Sequence, residues 1–422
     1  MTNTDPPTGG LSRRRLLGVA ALGGSTLAVA GAGAGYAVKS AASESTPSTA
    51  GPVPFYGTHQ AGIATPAQDR LAFAAFDVVT EDSQQLQGML GLWAAAAARM
   101  TRGELVGPTE SAPQSPPVDT GEALGLNPGQ LTVTVGFGPG LFDDRFGLAG
   151  KRPAALAPLP DLPGDQLDRS ISGGDICVQA CSEDPQVAFH VIRNFARMGR
   201  GTVVLKWSQL GFGRTSTTSV SQSTPRNLMG FKDGTNNIKA ENAAEMADYV
   251  WVGNETDQPW MVDGSYLVSR RIRMSLESWD ADYLADQQRV FGRFKDTGAP
   301  LTGHQEFDAV NLTAKTASGT PVIPLDAHIR LASHATNDGI RILRRGYSFT
   351  DGIDPRTGQF DAGLFFIAFQ KNAHTQFVPL QTRLGTNDAL NEYITHTSSA
   401  LFAVPPGLHA VGDWFGRRLF QS

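Results

Sequence analysis

The sequence predicts an α+β protein. Two strand-helix-strand patterns follow one another between residues 71 and 207, and the second half of the chain alternates strand and helix patterns more loosely. Two consecutive β-α-β units make one ferredoxin-like module. With 422 residues and a hydrophobic share of 41%, the chain is long enough for two or three domains with sizeable cores.

The first unit comprises a strand at Leu71–Val79, a helix at Glu81–Met100 and a strand at Leu131–Phe137. The apolar face of this helix contains Leu86, Met89, Leu90 and Trp93. Their helical spacing indicates that this face packs on the sheet. Gly107–Gln130 has no such periodicity and is predicted to be irregular.

The second unit begins with a strand at Asp175–Cys181 and ends with a strand at Val203–Trp207. Between them, Asp184 can cap a helix whose first residue is Pro185. The inner stripe of this helix contains Val187, Val191, Phe195 and Met198. Cys177 and Cys181 are the only cysteines. Four residues of strand separate their Cα atoms by about 13 Å, beyond the limit of about 7 Å for a disulfide, so they are predicted to be buried free thiols.

In the second half, strands are predicted around Ser265–Met274 and Gly363–Phe369, and helices at Leu276–Val290 and Phe377–Leu384. The segment from Thr350 to Asp361 has three aspartates but lacks the ligand spacing of a calcium loop. A polar hairpin turn is the better interpretation.

The N-terminus has the pattern of an export signal. Ser12–Leu17 reads SRRRLL, a twin-arginine pattern, and an uncharged stretch follows from Leu16 to Val38,. The stretch is long enough to cross a bilayer, so an uncleaved anchor is the alternative, but its glycines favour cleavage. We therefore expect a twin-arginine signal at residues 1–40 and a disordered Ser/Ala/Thr/Pro linker at residues 41–54. The absence of a cysteine near residue 40 excludes a lipoprotein.

Composition excludes several function classes. The net charge is −5, with 35 basic and 40 acidic residues, so no overall basic field would attract nucleic acid. The sequence also has no glycine-rich phosphate loop, serine nucleophile elbow or paired-cysteine zinc motif.

Two segments about a hundred residues apart carry candidate chemistry. GFKDGTNN (230–237) contains an acid in a glycine-flanked turn, and DAHIRLASH (326–334) contains a histidine in an apolar, strand-like stretch. ILRR (342–345) adds two arginines. An imidazole, a carboxylate and a guanidinium are the groups that peroxide cleavage on a haem iron requires. Taken singly, each has a plainer interpretation as a turn aspartate or a solvated side chain.

The motifs resemble those of the dye-decolorizing peroxidases. GFKDG fits the Gly-x-x-Asp-Gly signature of that family, and four further segments are similar to its exported branch, also called deferrochelatase/peroxidase. These segments are GGDICVQACSEDPQVAFH, HIRLA, ILRRGYSF and GLFFIAFQ. The resemblance runs from about Phe55 to Phe420. It implies two ferredoxin-like halves with antiparallel sheets, of the dimeric α+β barrel type, at residues 55–225 and 226–422, with haem held mainly by the second.

The resemblance also implies roles for individual residues. His328 would bind iron, and Asp388 would be the carboxylate partner of its other ring nitrogen. Asp233 would move the proton of peroxide, and Arg344 would stabilise the negative charge that develops. Because adjacent strand positions face opposite ways, only one of Arg344 and Arg345 should reach the site.

Three further residues are expected around haem. Leu364 and Phe366 would press apolar side chains against the distal side, although an ordinary core strand is equally compatible with the sequence. Arg330 would face a propionate, because a strand face continues at a spacing of two residues. The sequence departs from the branch at Ser333 and His334, where Asn and Pro are more usual, so His334 competes with His328 as the ligand. His304, in GHQEF, and His59 have no assigned role.

The function implied is that of a secreted peroxidase with one haem b per chain. It would use hydrogen peroxide to oxidise a dye-like, phenolic or other organic reducing substrate, with an acidic optimum because an aspartate stays ionised where a histidine is protonated. One alternative is a deferrochelatase that releases iron from haem, and another is a binding module that only keeps the fold.

Export by the twin-arginine machinery would make the protein extracellular, periplasmic or associated with the cell envelope, without stable membrane insertion once the signal is cleaved. Whether the chain forms a homo-oligomer stays open. Trp207, Trp251, Trp260, Trp279 and Tyr347 are candidates to relay electrons from large substrates.

Overall fold

The computed structural model describes residues 51–110 and 112–421. The predicted signal at residues 1–40, and the predicted linker as far as residue 50, lie outside these residues. The strands of the described part are β1 Arg70–Val78, β2 Thr132–Phe137, β3 Ile176–Ser182, β4 Val203–Arg214, β5 Ser265–Met274, β6 Leu343–Arg344, β7 Tyr347–Ile353, β8 Phe360–Gln370 and β9 Ile394–Val404. Its α-helices are α1 Ser83–Met100, α2 Pro185–Met198, α3 Ala243–Tyr249, α4 Leu276–Ala281, α5 Leu284–Phe291, α6 His328–Leu331, α7 Phe377–Asn387 and α8 Arg417–Gln421.

The two halves share one strand order. In the first half the antiparallel order is β4-β1-β3-β2, and in the second it is β9-β5-β8-β7, with β6 pairing with β8 beside β7. In both halves the fourth strand therefore lies beside the first, followed by the third and the second. This is the ferredoxin-like arrangement, and it confirms the predicted α+β fold class.

The two sheets close into a barrel through two short junctions. Phe137 of β2 pairs with Ala403 of β9, while β4 pairs with β7 through Phe212 and Arg214. The interior is an apolar core to which both halves contribute. The Phe73 ring lies 5.4 Å from Trp207 and 5.2 Å from Phe365. Closure leaves few free strand edges.

Helices α1 and α2 cover the outer face of the first sheet. Asp82 and Asp184 accept hydrogen bonds from the first free backbone N–H groups of the two helices, and Pro185 needs no such partner. Trp93 of α1 stacks on Phe195 of α2 with ring centroids 4.5 Å apart, and its indole N–H donates to the carbonyl of Phe195. The predicted apolar stripes are therefore the faces that pack.

Two secondary-structure predictions are wrong. The single helix at Leu276–Val290 is two helices, because Asp282 is extended and its carboxylate accepts a hydrogen bond from the Tyr393 hydroxyl. His328 does not lie in a strand: it is the first residue of the short helix α6.

Other expectations hold. Both cysteines are buried free thiols, and the polar segment after Thr350 is the β7–β8 hairpin. Arg271 of β5 fixes this hairpin, because its guanidinium lies 2.8 Å from the carboxylates of both Asp351 and Asp361. Within the described residues, no helix combines the length and the apolar character needed to cross a bilayer.

Candidate active site

A cavity of about 580 Å³ lies against the second sheet, and its lining residues fall between Asn227 and His396. Leu364 and Phe366 of β8 line it, whereas Phe365 between them belongs to the barrel core. The cavity therefore lies on the outer face of the sheet, the side that α1 and α2 cover in the first half. It contains His328, Asp233, Arg344 and Asp388.

His328 is held by a buried carboxylate. Its Nδ1 lies 2.6 Å from Oδ2 of Asp388, whose side chain is only 3% exposed. The other oxygen of Asp388 accepts the backbone N–H of Leu390, which fixes the carboxylate in place. Burial acts to lower the pKa of His328, but the charge and hydrogen bond of Asp388 outweigh it, so this pKa lies above its ordinary value,. Nε2 is therefore the ring nitrogen that can bind a metal.

An aromatic cluster packs against both the helix that carries His328 and the loop that carries Asp233. The Phe291 ring meets His328 edge-on at 6.1 Å and stacks on Phe231 at 4.2 Å. Phe231 belongs to the GFKDG motif and also contacts Trp279, whose indole N–H donates to the carbonyl of Met229. This packing links the histidine helix to the loop that carries Asp233.

Asp233 and Arg344 form an ion pair inside the cavity. Nη1 of Arg344 lies 2.7 Å from Oδ1 of Asp233, and their side chains are 28% and 14% exposed. Asn227 donates to the other oxygen of Asp233 at 3.3 Å. Arg345 is fully buried and donates to Gln68 and to the carbonyl of Thr65 instead. As the strand alternation predicted, only one of the two arginines lines the cavity.

Asn237, the last residue of GFKDGTNN, joins the two motifs. Its side-chain oxygen accepts the backbone N–H of Arg344 at 2.8 Å, and its amide group donates to the carbonyl of Arg344 at 2.8 Å. The turn between Asp233 and Asn237 requires a glycine. Gly234 has a φ of +87°, and a Cβ there would lie 2.8 Å from the backbone of Ser216,.

Arg330 stays a prediction as a propionate partner, but the strand spacing that suggested it is wrong. Arg330 does not line the cavity. Its guanidinium donates to the backbone carbonyls of Leu312, Ile323 and Pro324. Because Arg330 is helical, a step of two residues does not keep it on the face of His328,.

The cavity also contains residues that the sequence did not single out. Glu306 and Phe307, from the GHQEF segment, line it, as does His396 of β9. Burial, together with the charge of Arg270, lowers the pKa of His396 to about 3, so this imidazole is neutral. His334 also lines the cavity, but it is exposed and its Nδ1 lies 3.4 Å from the amide of Asn236. Only the histidine count and the resemblance of GHQEF to the family pattern could have pointed to these positions.

Comparison with known proteins identifies the family. Residues 60–213 match the family model described as "Dyp-type peroxidase, N-terminal", and residues 224–409 match "Dyp-type peroxidase, C-terminal". The chain is a DyP-type peroxidase by family. A "Deferrochelatase" of Yersinia pestis is 39% identical over 375 residues, which cover 87% of this chain and 85% of the relative. A "Deferrochelatase" of Escherichia coli (strain K12) is 36% identical over 421 residues, 97% of each chain.

Solved DyP-type structures have the same fold. Ferric DtpA from Streptomyces lividans superimposes with a TM-score of 0.80 at 39% identity, covering 88% of this chain and 97% of that one. A DyP-type peroxidase from Cellulomonas bogoriensis gives 0.78 at 37% identity, covering 88% and 98%. A Rhodococcus jostii DypB variant in complex with haem gives 0.58 at 20% identity, with 82% and 95% covered, and shows the fold alone.

Family membership makes this chain a haem peroxidase, which uses hydrogen peroxide and a reducing substrate. The groups in the cavity fit haem. One imidazole has its Nδ1 committed to a carboxylate and its Nε2 available, and Leu364 and Phe366 provide apolar surface,. The same cavity holds a carboxylate and a guanidinium, those of Asp233 and Arg344, 2.7 Å apart.

Four of the five aromatic residues suggested as electron relays are buried. Trp207, Trp260, Trp279 and Tyr347 are buried, and Trp251 is half-buried. Trp251 stacks on His59 with ring centroids 3.7 Å apart, and Nδ1 of His59 contacts the carbonyl of Asp263. The role that the structure gives His59 is therefore packing.

Proposed function

We propose that in this DyP-type peroxidase His328 would bind the haem iron, Asp388 would hold the other ring nitrogen of His328, and Asp233 and Arg344 would process hydrogen peroxide. One observation carries the proposal. The same cavity is lined by His328, whose Nδ1 lies 2.6 Å from Asp388, and by Arg344, whose Nη1 lies 2.7 Å from Asp233. Leu364 and Phe366 would limit access of water and large molecules.

The bound haem supplies the metal on which peroxide is cleaved. Asp233 accepts a proton from hydrogen peroxide and returns it to the departing oxygen, which leaves as water. Arg344 stabilises the negative charge that builds up on that oxygen. Asn237 holds Arg344 in position through its backbone, so the guanidinium stays beside the carboxylate.

Replacing Asp233 by asparagine tests the assignment. The change keeps the shape of the side chain and removes the proton acceptor, so the haem spectrum should persist. The spectral change after one equivalent of peroxide should slow by about 10²–10⁴-fold. Asp351→Asn is a matched control, because Asp351 pairs with Arg271 and does not line the cavity. An Asp233→Asn variant that reacts at the wild-type rate would remove Asp233 from the mechanism.

The ligand is tested separately. His328→Ala should lose the Soret spectrum of the wild type, because the cavity then lacks the imidazole that Asp388 holds,. His334→Ala is the control, because His334 also lines the cavity but has no carboxylate contact among the described residues. If His334→Ala loses the spectrum and His328→Ala keeps it, the ligand is His334.

A second candidate function is the release of iron from haem. It is favoured by the relatives named "Deferrochelatase", which are 36–39% identical over 375 residues or more. The same ligand and cavity would serve both activities. Product analysis after incubation with haem separates them, because intact protoporphyrin indicates iron release and an oxidised phenol indicates peroxidase turnover.

We also propose that the chain is exported by the twin-arginine route to an extracellular, periplasmic or envelope location, where it oxidises dye-like or phenolic substrates. The support is the SRRRLL sequence and the uncharged stretch after it,. Replacing the three arginines by lysines should retain the protein in the cytoplasm. Export of that variant at the wild-type level would contradict the route.

The catalytic body is proposed to divide near residue 225. The family matches support this boundary, since one ends at residue 213 and the other begins at 224. Limited proteolysis in the segment between β4 and α3 would test whether the halves separate.

A further inference from the structure

The segment GHQEF (303–307) places a phenylalanine where the cavity meets solvent. Phe307 lines the cavity, yet 72% of the residue is exposed. Most large apolar side chains that line cavities are shielded from water, and an exposed aromatic ring beside a site is a common feature of binding surfaces. The ring is therefore available to a molecule that approaches from solvent.

The backbone around Phe307 is anchored on the preceding side. Glu306 is buried, and its carboxylate accepts hydrogen bonds from Lys232 and from Thr235, the latter at 3.1 Å. Arg293 donates to the carbonyl of Glu306 at 3.1 Å. Burial acts to raise the pKa of Glu306, but its hydrogen bonds with Lys232, Thr224 and Thr235 and the charge of Lys232 lower it on balance. The carboxylate is therefore ionised, and its ion pair with Lys232 persists.

The following side is anchored as well. The carboxylate of Asp308 accepts the backbone N–H groups of His304 and Gln305, at 2.7 and 2.9 Å. Phe307 therefore lies between two fixed residues, and a bound molecule would not need to order the loop. Lys232 and Thr235 flank Asp233 in the sequence, so Glu306 ties this loop directly to the loop of the catalytic acid.

We propose that Phe307 forms the docking surface on which a planar aromatic reducing substrate stacks at the mouth of the cavity. The proposal rests on the proposed peroxidase function with aromatic substrates, and it adds the residue that binds them. A phenol or an aromatic dye would cover the exposed ring and gain stacking, whereas a donor without a ring would gain nothing from it.

Steady-state kinetics with two electron donors tests the proposal. Guaiacol is aromatic, and ferrocyanide has no ring. In Phe307→Ala the KM for guaiacol should rise roughly three- to tenfold, the range that stacking free energies give. The kcat for guaiacol and the KM for ferrocyanide should stay at wild-type values, and Phe307→Trp should restore the KM for guaiacol.

Phe360→Ala is the matched control, because Phe360 is 55% exposed but does not line the cavity. A guaiacol KM in Phe307→Ala within the scatter of the wild type would overturn the proposal. An equal rise for ferrocyanide, or in Phe360→Ala, would also overturn it.

Binding of guaiacol to the resting protein provides a readout that needs no turnover. The Kd, followed through the Soret difference spectrum, should rise by the same factor in Phe307→Ala. The Kd therefore tests the role of Phe307 separately from the peroxidase function. Failure of the wild type to respond to peroxide would contradict the proposed function, while an unchanged guaiacol Kd would contradict the role of Phe307 alone.

Discussion

The contact between Asp388 and His328 allows a quantitative test of how the protein tunes its metal. Asp388→Asn removes a negative charge 2.6 Å from Nδ1 of the proposed ligand. Asp388 is only 3% exposed on its side chain, so solvent screens this charge little,. Asparagine can still accept the backbone N–H of Leu390, so the local fold should survive,.

The expected size follows from the strength of the bond. A hydrogen bond to a charged group contributes about 1.5–3 kcal/mol. For a one-electron couple this corresponds to about 60–130 mV, which is the upper limit if the whole interaction favours the oxidised metal. The midpoint potential of the haem iron should therefore rise by tens of millivolts. The reaction with peroxide should slow by about 10–100-fold, the usual cost of losing such a partner.

Spectroelectrochemistry measures the potential, and stopped-flow absorbance measures the peroxide reaction. Asp351→Asn carries the same substitution outside the cavity and should leave both at wild-type values. Asp388→Ala, which also loses the cap of Leu390, reports any separate cost in stability. If Asp388→Asn leaves the midpoint potential unshifted, the charge of Asp388 does not influence the metal through His328, and the prediction is wrong.

Three further predictions concern stability and reactivity. The pKa of His396 is about 3 in the folded protein and about 6.5 when unfolded, so the unfolded state binds the extra proton as pH falls,. The free energy of unfolding should drop by up to about 1.4 kcal/mol per pH unit below about pH 6.5. In urea titrations at several pH values, His396→Gln should show a smaller drop per pH unit than the wild type. Equal drops in the two proteins would refute the neutral assignment. In the same assay Trp93→Ala should lower the free energy of unfolding by about 3–5 kcal/mol, because Trp93 is fully buried against Phe195. A decrease no larger than that of a surface substitution would contradict this packing. Burial raises the pKa of both cysteine thiols, so a maleimide should label Cys177 and Cys181 only after unfolding, and rapid labelling of native protein would disprove their burial.

Local patterns identified most elements of the first half because the physical signals there are local. Asp184 followed by Pro185 defines a helix start, and the alternation around Cys177 defines a strand. Asp282 shows the opposite case. It lies within a helical pattern, but a contact with Tyr393, more than a hundred residues away, holds it extended.

Some residues of the candidate site could be predicted from local sequence, and others could not. Asp233, His328 and Arg344 could be named because short motifs contain them, and all three line one cavity. For Arg330 the expected strand spacing does not apply, because the chain is helical there. Glu306 had no role in the sequence because its hydrogen bonds are made with Lys232 and Thr235, far away along the chain. Phe307 had none because only the folded chain places it beside the cavity.

The sequence by itself determined the alternation of strands and helices, the two buried thiols and the residue types that haem chemistry needs. These follow from backbone periodicity and side-chain chemistry, which neighbouring residues carry. Tertiary structure alone decided which side chains meet. The Asp388 carboxylate reaches His328 across 60 residues, and Arg344 reaches Asp233 across 111. Such pairs depend on barrel closure and helix packing, whose free energies are summed over contacts that no single stretch of sequence contains.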